Sequence, residues 1–451
     1  MEELTMESSE FSQLHRAFMG GHTHANSMYV EKVMHNVASQ DFASSYPAVM
    51  LLEKFPMSKA HYIDRELSDE EMRYFLKTKA CLFDLTLTGV YHKLKFEHPI
   101  PRSKCWECIN PVTDNGRIVM ADKLSITCTE QDFLTYSEFY KWDSISIGNF
   151  RYYDKQYLPH SFVNAILGLY EKKTVLKDVV GEEINYMISK NMLNAAFGMS
   201  VTNPVRDEIE YDENSIKGVE VVKPVLEDAI EKYNNNVKRF LFYPWGVWIT
   251  AYARRNLFTG IKELGNDFIY SDTDSVKYIN HEKHEDYFKS YNENIMRKIE
   301  SSADFHHLDV KQFSPLNKNG KKKTIGVWDF EGIYDDFKTL GAKRYIYRIG
   351  DDVRVTLAGA NKKKTAEYLV STGDPFGKFD NNLCIPAEYS GRLTSTYIDE
   401  EQRGIVVDYL GVPFYYIEKS AIHLEPSEYN LTMSNAFTDY LKGIREGSYG
   451  F

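Results

Sequence analysis

The chain has 451 residues, 43% hydrophobic and 26% charged, which describes a globular protein of roughly two to four domains and excludes disordered and collagen-like chains. No apolar run approaches the roughly 18–20 residues that cross a bilayer, and the N-terminus is acidic where a signal peptide is basic and then apolar, so a cytoplasmic protein with no membrane partner is expected. The net charge of −11 argues on its own against a nucleic-acid partner, yet 13 Lys and Arg against six Asp and Glu fall between Lys311 and Lys364.

In chain order, Asn36 to Asp41 reads as a strand that runs into Ser44-Ser45-Tyr46-Pro47, a helix start with Pro at the first helical position, and then an apolar helix. Short alternating runs between Ser58 and Leu158 predict a β-rich segment. Apolar spacing of three and four predicts helix from about His160 to Phe197, ended by Gly198 and Asn203-Pro204. Residues 205–240 are polar and charged. A turn and helix follow over 242–264, where the aromatic run from Phe240 through Trp248 is read as core packing. Two short strands then flank an acidic turn at 272–274, and several strands precede a C-terminal helix near Ser434 to Ile444.

Three blocks carry chemistry. Asp272 and Asp274 stand two apart in strand-like sequence, so both carboxylates are expected on one face with Thr273 pointing away. Like charges that close call for a cation, and hard oxygen ligands suit Mg²⁺. Asp41 is a further acid, placed just before a helix N-terminus whose N–H groups can meet phosphate. Lys190, Asn194 and Phe197 share one helical face at i, i+4 and i+7, offering a cation, an amide and a flat ring for a base.

The residues Asp41-Phe42-Ala43-Ser44-Ser45-Tyr46-Pro47, Lys190 to Gly198, and Tyr270 to Ser275 resemble, in order, the three polymerase motifs of family B DNA polymerases, separated here by 149 and 84 residues. Phe18-Met19-Gly20-Gly21 resembles the Tyr-x-Gly-Gly region of the protein-primed subset from phages and linear plasmids, which handles single-stranded template. Lys343-Arg344-Tyr345 resembles that subset's Lys-x-Tyr, which holds the primer terminus. The resemblance extends over nearly the whole chain and is faintest beyond about residue 375.

It implies an α+β right-hand polymerase with palm, short fingers and thumb. Residues 1–57 would hold the N-terminal segment and first palm part, 58–160 a first insertion, 161–203 the fingers, 204–241 a second insertion, 242–375 the second palm part and 376–451 the thumb. The insertions occupy the places of the subset's terminal-protein regions. The implied function is template-directed DNA synthesis from a primer 3′-hydroxyl in phage replication with protein priming, in the cytoplasm of a bacterial host. Asp41, Asp272 and Asp274 would be catalytic; Asp41, Asp274 and the Phe42 carbonyl would hold two Mg²⁺ ions, with Mn²⁺ as a substitute. Ser45, Tyr46, Lys190, Asn194 and Phe197 would bind the deoxynucleoside triphosphate, with Tyr46 excluding ribonucleotides. Gly20, Gly21, Lys343 and Tyr345 would contact the DNA primer-template.

The chain departs from the pattern in several places. Ala195, Phe197 and Phe18 replace the usual Ser, Tyr and Tyr, and either Lys172 or Lys173 is expected to supply a second triphosphate contact. Only 40 residues precede Asp41, which leaves no room for the proofreading exonuclease of these polymerases; Asp64-Arg65-Glu66 and Asp329-Phe330-Glu331 match its Asp-x-Glu pattern but are read as incidental. A separate exonuclease subunit and a terminal protein are the implied partners, and the competing reading is a DNA-binding or scaffold subunit active only with an exonuclease-bearing chain. Cys105 and Cys108, with Cys128 and His98, make one zinc-like pair where a structural site wants two, so these thiols are read as ordinary core and loop residues.

Overall fold

The computed structural model describes residues 3–211, 219–397, 402–407, 410–418 and 422–449. The chain forms two compact units, Met1–Met28 with Val37–Ile333 and Tyr440–Phe451, and Tyr29–Asn36 with Tyr334–Asp439.

The first unit begins with α1 (Ser8–Ala17), β1 (Thr23–Ala25), β2 (Val33–Phe42, entered from the second unit) and α2 (Ser45–Leu52). Then come β3 (Phe55–Pro56), β4 (His61–Ile63), α3 (Asp69–Thr78), β5 (Ala80–His92), β6 (Cys105–Ile109), β7 (Val112–Asp114), β8 (Arg117–Thr129), α4 (Glu130–Phe139), β9 (Tyr140–Lys141), β10 (Ser144–Tyr153) and β11 (Lys155–Gln156). Helices α5 (His160–Leu176) and α6 (Glu183–Ser200), the hairpin strands β12 (Glu208–Tyr211) and β13 (Val219–Val222), α7 (Leu226–Asn234) and α8 (Tyr243–Leu264) follow. The unit closes with β14 (Phe268–Asp272), β15 (Ser275–Tyr278), α9 (His281–His306) and the start of β16 (Trp328–Thr339).

The β-rich segment expected after Ser58 is a sheet in the order β4-β10-β5-β8-β6, with β7 paired to β8 and β9 to β5. Along β5, Phe83, Leu85 and Leu87 are buried while Asp84, Thr86 and Thr88 are only partly so, the two-residue period of a strand with one face on a core. A second, antiparallel sheet runs β1-β14-β15-β2, with Thr23 opposite Asp272 and Ser275 opposite Asp41.

Helix α8 has 17 of its 22 residues buried, without a break from Tyr243 to Arg254, so its first three turns are enclosed by their neighbours on every side. Its first half packs with α1, α2, α5 and α6 in one core; Leu257, Phe258, Ile261 and Leu264 belong to another built on the β5–β8 sheet. The Trp245 and Trp248 indoles are fully buried and donate to Pro56 O (2.8 Å) and Glu130 Oε2 (2.9 Å), so the aromatic run is core packing as expected, apart from the exposed Phe240. A Cβ on Gly246 would lie 2.3 Å from a Val201 methyl and 2.6 Å from Ser200 Oγ, so its absence lets the end of α6 rest on α8. That contact carries α6 to Ser200, past Gly198 where the sequence suggested a stop. The helical stretch is also divided near Gly181, whose φ of 87° no helix accommodates.

In the second unit the end of β16 pairs antiparallel with β17 (Arg344–Ile349), and β17 with β18 (Asp352–Leu357). Lys343 precedes β17 at φ 55°, and Tyr345 stands opposite Thr339 with its ring 5.5 Å from Phe337. The chain is thus a mixed α+β protein. Its expected C-terminal helix is Asn435–Arg445. No helix among the described residues is long and apolar enough to cross a membrane.

Candidate active site

Strand β2 delivers Asp41 and Phe42 beside the β14–β15 turn, where the Phe42 N–H donates to Asp274 O at 2.8 Å. Strand alternation does not place the acidic pair, contrary to the sequence reading. Thr273 is left-handed (φ 59°), Asp274 N–H donates back to Asp272 O at 2.6 Å, and Thr273 N–H donates to His22 O at 2.6 Å. The packing of β1 against the turn therefore sets the two carboxylates. Thr23 on β1 also donates to Asp272 Oδ1 at 2.9 Å.

Beyond β2 the chain reverses through Ser44, itself left-handed (φ 61°), into α2. Pro47 is the third helical residue and not the first, which costs nothing because the first four N–H groups of a helix lack intrahelical partners anyway. Ser45 is buried in the first turn.

Electrostatics single out this corner. Burial, then the charges of Asp274 and Glu331, push Asp41 up to about 8 against the pull of Lys277 and Lys173. Burial and Asp272 push Asp274 up to about 6. Lys277 and Lys173 are lowered, mainly by burial, while the carboxylates oppose the shift. Glu331, which the sequence reading set aside, accepts from Ser39 Oγ at 2.6 Å and lies 3.6 Å from Lys277 Nζ.

Of the two lysine candidates on α5, Lys173 turns inward and donates to Ser44 Oγ at 2.7 Å, whereas Lys172 is exposed. An open cleft of about 790 Å³ is lined by Asp41, Phe42, Lys173, Lys177, Lys318 and Lys323, so part of the basic surplus noted in sequence belongs here. Lys190 and Asn194 are exposed on α6, and the Lys190 charge reaches Lys173. Phe197, expected as a base platform, stacks on Tyr46 with ring centroids 4.3 Å apart.

The two glycines before β1 differ. A Cβ on Gly21 would meet Thr273 at 2.6 Å and the Tyr46 hydroxyl at 2.9 Å, while one on Gly20 meets nothing within 4 Å. Arg254 of α8 holds this segment, donating to the carbonyls of Gly20 (3.0 Å) and Met19 while its guanidinium grips the buried Asp132. Sequence reasoning missed Arg254, Lys277 and Lys177. Lys343 and Tyr345 lie in the second unit. Cys105, Cys108 and Cys128 are free thiols, and burial pushes Cys105 up to about 12.

The part of the chain that carries Asp41, Lys173, Lys190, Arg254 and Asp274 has known relatives. The family model of DNA polymerase type B, organellar and viral, matches residues 2–293. The chain belongs to this family of type B DNA polymerases. The matched region contains the Asp41, Lys190 and Asp274 motifs and stops short of Lys343 and Tyr345. The DNA polymerase of Bacillus phage Nf is 25% identical over 271 residues, covering 58% of this chain and 42% of that protein, and that of Bacillus phage phi29 is 24% identical over 267 residues, covering 58% and 41%. The matched region thus spans less than half the length of these type B relatives. Solved structures of phi29 DNA polymerase share the fold: the complex with primer-template DNA aligns with TM-score 0.59 at 16% identity over 95% of this chain and 63% of that one. The complex with primer-template DNA and incoming nucleotide aligns with TM-score 0.58 at the same identity and coverage.

Proposed function

We propose that this type B polymerase chain extends a primer 3′-hydroxyl with deoxynucleotides on a DNA template, in protein-primed phage genome replication. The observation that carries the reading is the meeting of Asp41, near the end of β2, with Asp274, in the β14–β15 turn, each pushed toward its neutral form by burial and neighbouring carboxylates, at the edge of a lysine-lined cleft. Structures of the phi29 enzyme with primer-template DNA and incoming nucleotide support it by analogy of fold.

The carboxylates fit a divalent cation, since mutual repulsion in a buried place is relieved by positive charge and all-oxygen donors suit Mg²⁺ or Mn²⁺. Asp41, Asp274 and the Phe42 carbonyl would hold two ions, with Asp272 in support. When bound, such ions activate the primer hydroxyl and neutralise charge on the triphosphate. The chain's own residues do the rest. Lys173 and Lys190 counter triphosphate charge. Tyr46 lies under the sugar and rejects a 2′-hydroxyl, with Phe197 fixing its ring from behind. Ser45 and Asn194 complete the nucleotide site, Gly20 and Gly21 border the template, and Lys343 and Tyr345 hold the primer end. In the right-hand scheme the β1-β14-β15-β2 sheet is palm, α5 and α6 are fingers, and residues 58–160 and 204–241 are the terminal-protein-region insertions.

Primer extension with Mg²⁺ by the purified chain and by Asp274→Asn tests the reading. Extension is expected to vanish in the variant while duplex binding persists. Normal extension by the variant overturns the assignment. Transfer of a single deoxynucleotide to a candidate terminal protein tests the priming mode separately.

A further inference from the structure

Behind the catalytic turn, the first unit buries a second set of titratable side chains that polymerase chemistry does not use. His22 and His24 alternate along the approach to and start of β1; Glu97 and His98 come from the loop after β5, and Asp114 ends β7. All five are at most 2% exposed. One ligand atom from each of His22, His24 and Glu97 can be chosen so that all lie within 4.8 Å of one another, the one such His/Cys/Asp/Glu group among the described residues.

The contacts inside the cluster are short but badly aimed as hydrogen bonds. His22 Nε2 lies 3.2 Å from Glu97 Oε2 and His24 Nδ1 lies 2.9 Å from Glu97 Oε1, yet both ring nitrogens and Glu97 Oε2 lack a hydrogen-bonding partner. Unsatisfied polar atoms at this depth carry the full cost of losing their water. Close, off-line pairs are what lone pairs directed at a shared central atom leave behind. The other nitrogen of His24, Nε2, lies 3.2 Å from Asp114 O and 3.6 Å from Asp114 Oδ1, the outer contact that orients a metal-bound imidazole. Asp114 is itself fixed by Ser27 Oγ at 2.5 Å.

We infer that His22, His24 and Glu97 hold a Zn²⁺ ion, distinct from the Asp41–Asp274 pair, that fastens β1 to the segment 58–160. Two imidazoles and a carboxylate are a three-ligand set that suits zinc and disfavours Mg²⁺, and it leaves the fourth tetrahedral position to a ligand from outside the chain. The cation-free alternative, a proton held on His24 by Glu97 and Asp114 against the burial that disfavours it, leaves His22 Nδ1 without a partner and His22 Nε2 with only a poorly aligned approach to Glu97. His98, which sequence spacing associates with Cys105 and Cys108, lies instead beside this cluster, 3.9 Å from Asp114. The site matters to the turn because the His22 carbonyl receives the Thr273 N–H and Thr23, between the two histidines, donates to Asp272 Oδ1.

The test is metal analysis of the untagged full chain, expressed with zinc and dialysed against Mg²⁺ buffer. About one Zn²⁺ per chain is expected, retained when Asp41→Asn and Asp274→Asn are combined and reduced to roughly a tenth or less in Glu97→Gln. Because a variant in a buried cluster can fail to fold, the unmutated chain supplies a second measurement. Chelator treatment should lower its Tm, Zn²⁺ but not Mg²⁺ should restore it, and Co²⁺ added to the stripped protein should give tetrahedral d–d bands. A zinc-free chain whose Tm ignores Zn²⁺ overturns the inference, as does zinc that departs with the Asp41 and Asp274 carboxylates.

Discussion

The Tyr46 ring stacks on Phe197, with centroids 4.3 Å apart and planes 27° from parallel, so a residue of the first motif is braced by one from the second. Tyr46 is half-buried, and Phe197 supplies one face of its seat. Tyr46→Val should therefore lower the preference for deoxynucleotides over ribonucleotides by roughly 10²-fold, and Phe197→Ala should lower it by a smaller factor while Tyr46 is intact. The ratio of kcat/KM for the two sugar types in single-nucleotide incorporation is the measurement.

Lys173 and Lys172 are neighbours in sequence with opposite orientations. Lys173→Ala should raise KM for the triphosphate by roughly 10-fold, and Lys172→Ala should leave it within about 2-fold, if the loss of one charge-assisted contact is worth about 1.5 kcal/mol. Steady-state incorporation kinetics at fixed primer-template distinguish the two.

The glycines make a matched pair. Gly21→Ala drives a methyl into Thr273 and the Tyr46 hydroxyl and should cut primer extension by roughly 10–100-fold through displacement of the acidic turn. Gly20→Ala, with open space around its Cβ, should retain near-normal extension. Equal losses in both variants would show that the template path, and not the turn, limits activity.

In metal-free buffer the acids weaken the fold. Asp41 has a folded pKa of about 8 against an ordinary value of 3.8, so the folded state binds more protons than the unfolded one between those values and stability falls as pH rises through that window. Asp274 contributes likewise between 3.8 and about 6. Asp41→Asn should thus match the wild type near pH 4 and exceed it in stability by on the order of 1–3 kcal/mol above pH 8 with EDTA present. Urea unfolding at the two pH values checks this, and Mg²⁺ should narrow the gap.

The carboxylates, Lys190 and Tyr46 were legible in sequence because each lies within a short, ordered motif. Their geometry was less so. The turn at Thr273 depends on a hydrogen bond to His22, about 250 positions earlier, and no local propensity reports it. Glu331 was misleading for the same reason: its Asp-x-Glu setting points elsewhere, and only its approach to Ser39 and Lys277 brings its charge to Asp41. Arg254 sits in an unremarkable helical run, and its grip on the Met19 and Gly20 carbonyls comes from the path of α8. The β-rich segment and the aromatic start of α8 were readable because period-two alternation and a run of large apolar residues are properties of contiguous residues.

Helix α8 passes through both hydrophobic cores, the one that includes α1, α2, α5 and α6 and the one built on the β5–β8 sheet. The segment 58–160 is therefore not a detachable module. Excising it would strip Leu257, Phe258, Ile261 and Leu264 of their cover and leave the far turns of α8 facing water. Amides on both halves of the helix should consequently exchange with solvent deuterons in a single cooperative opening.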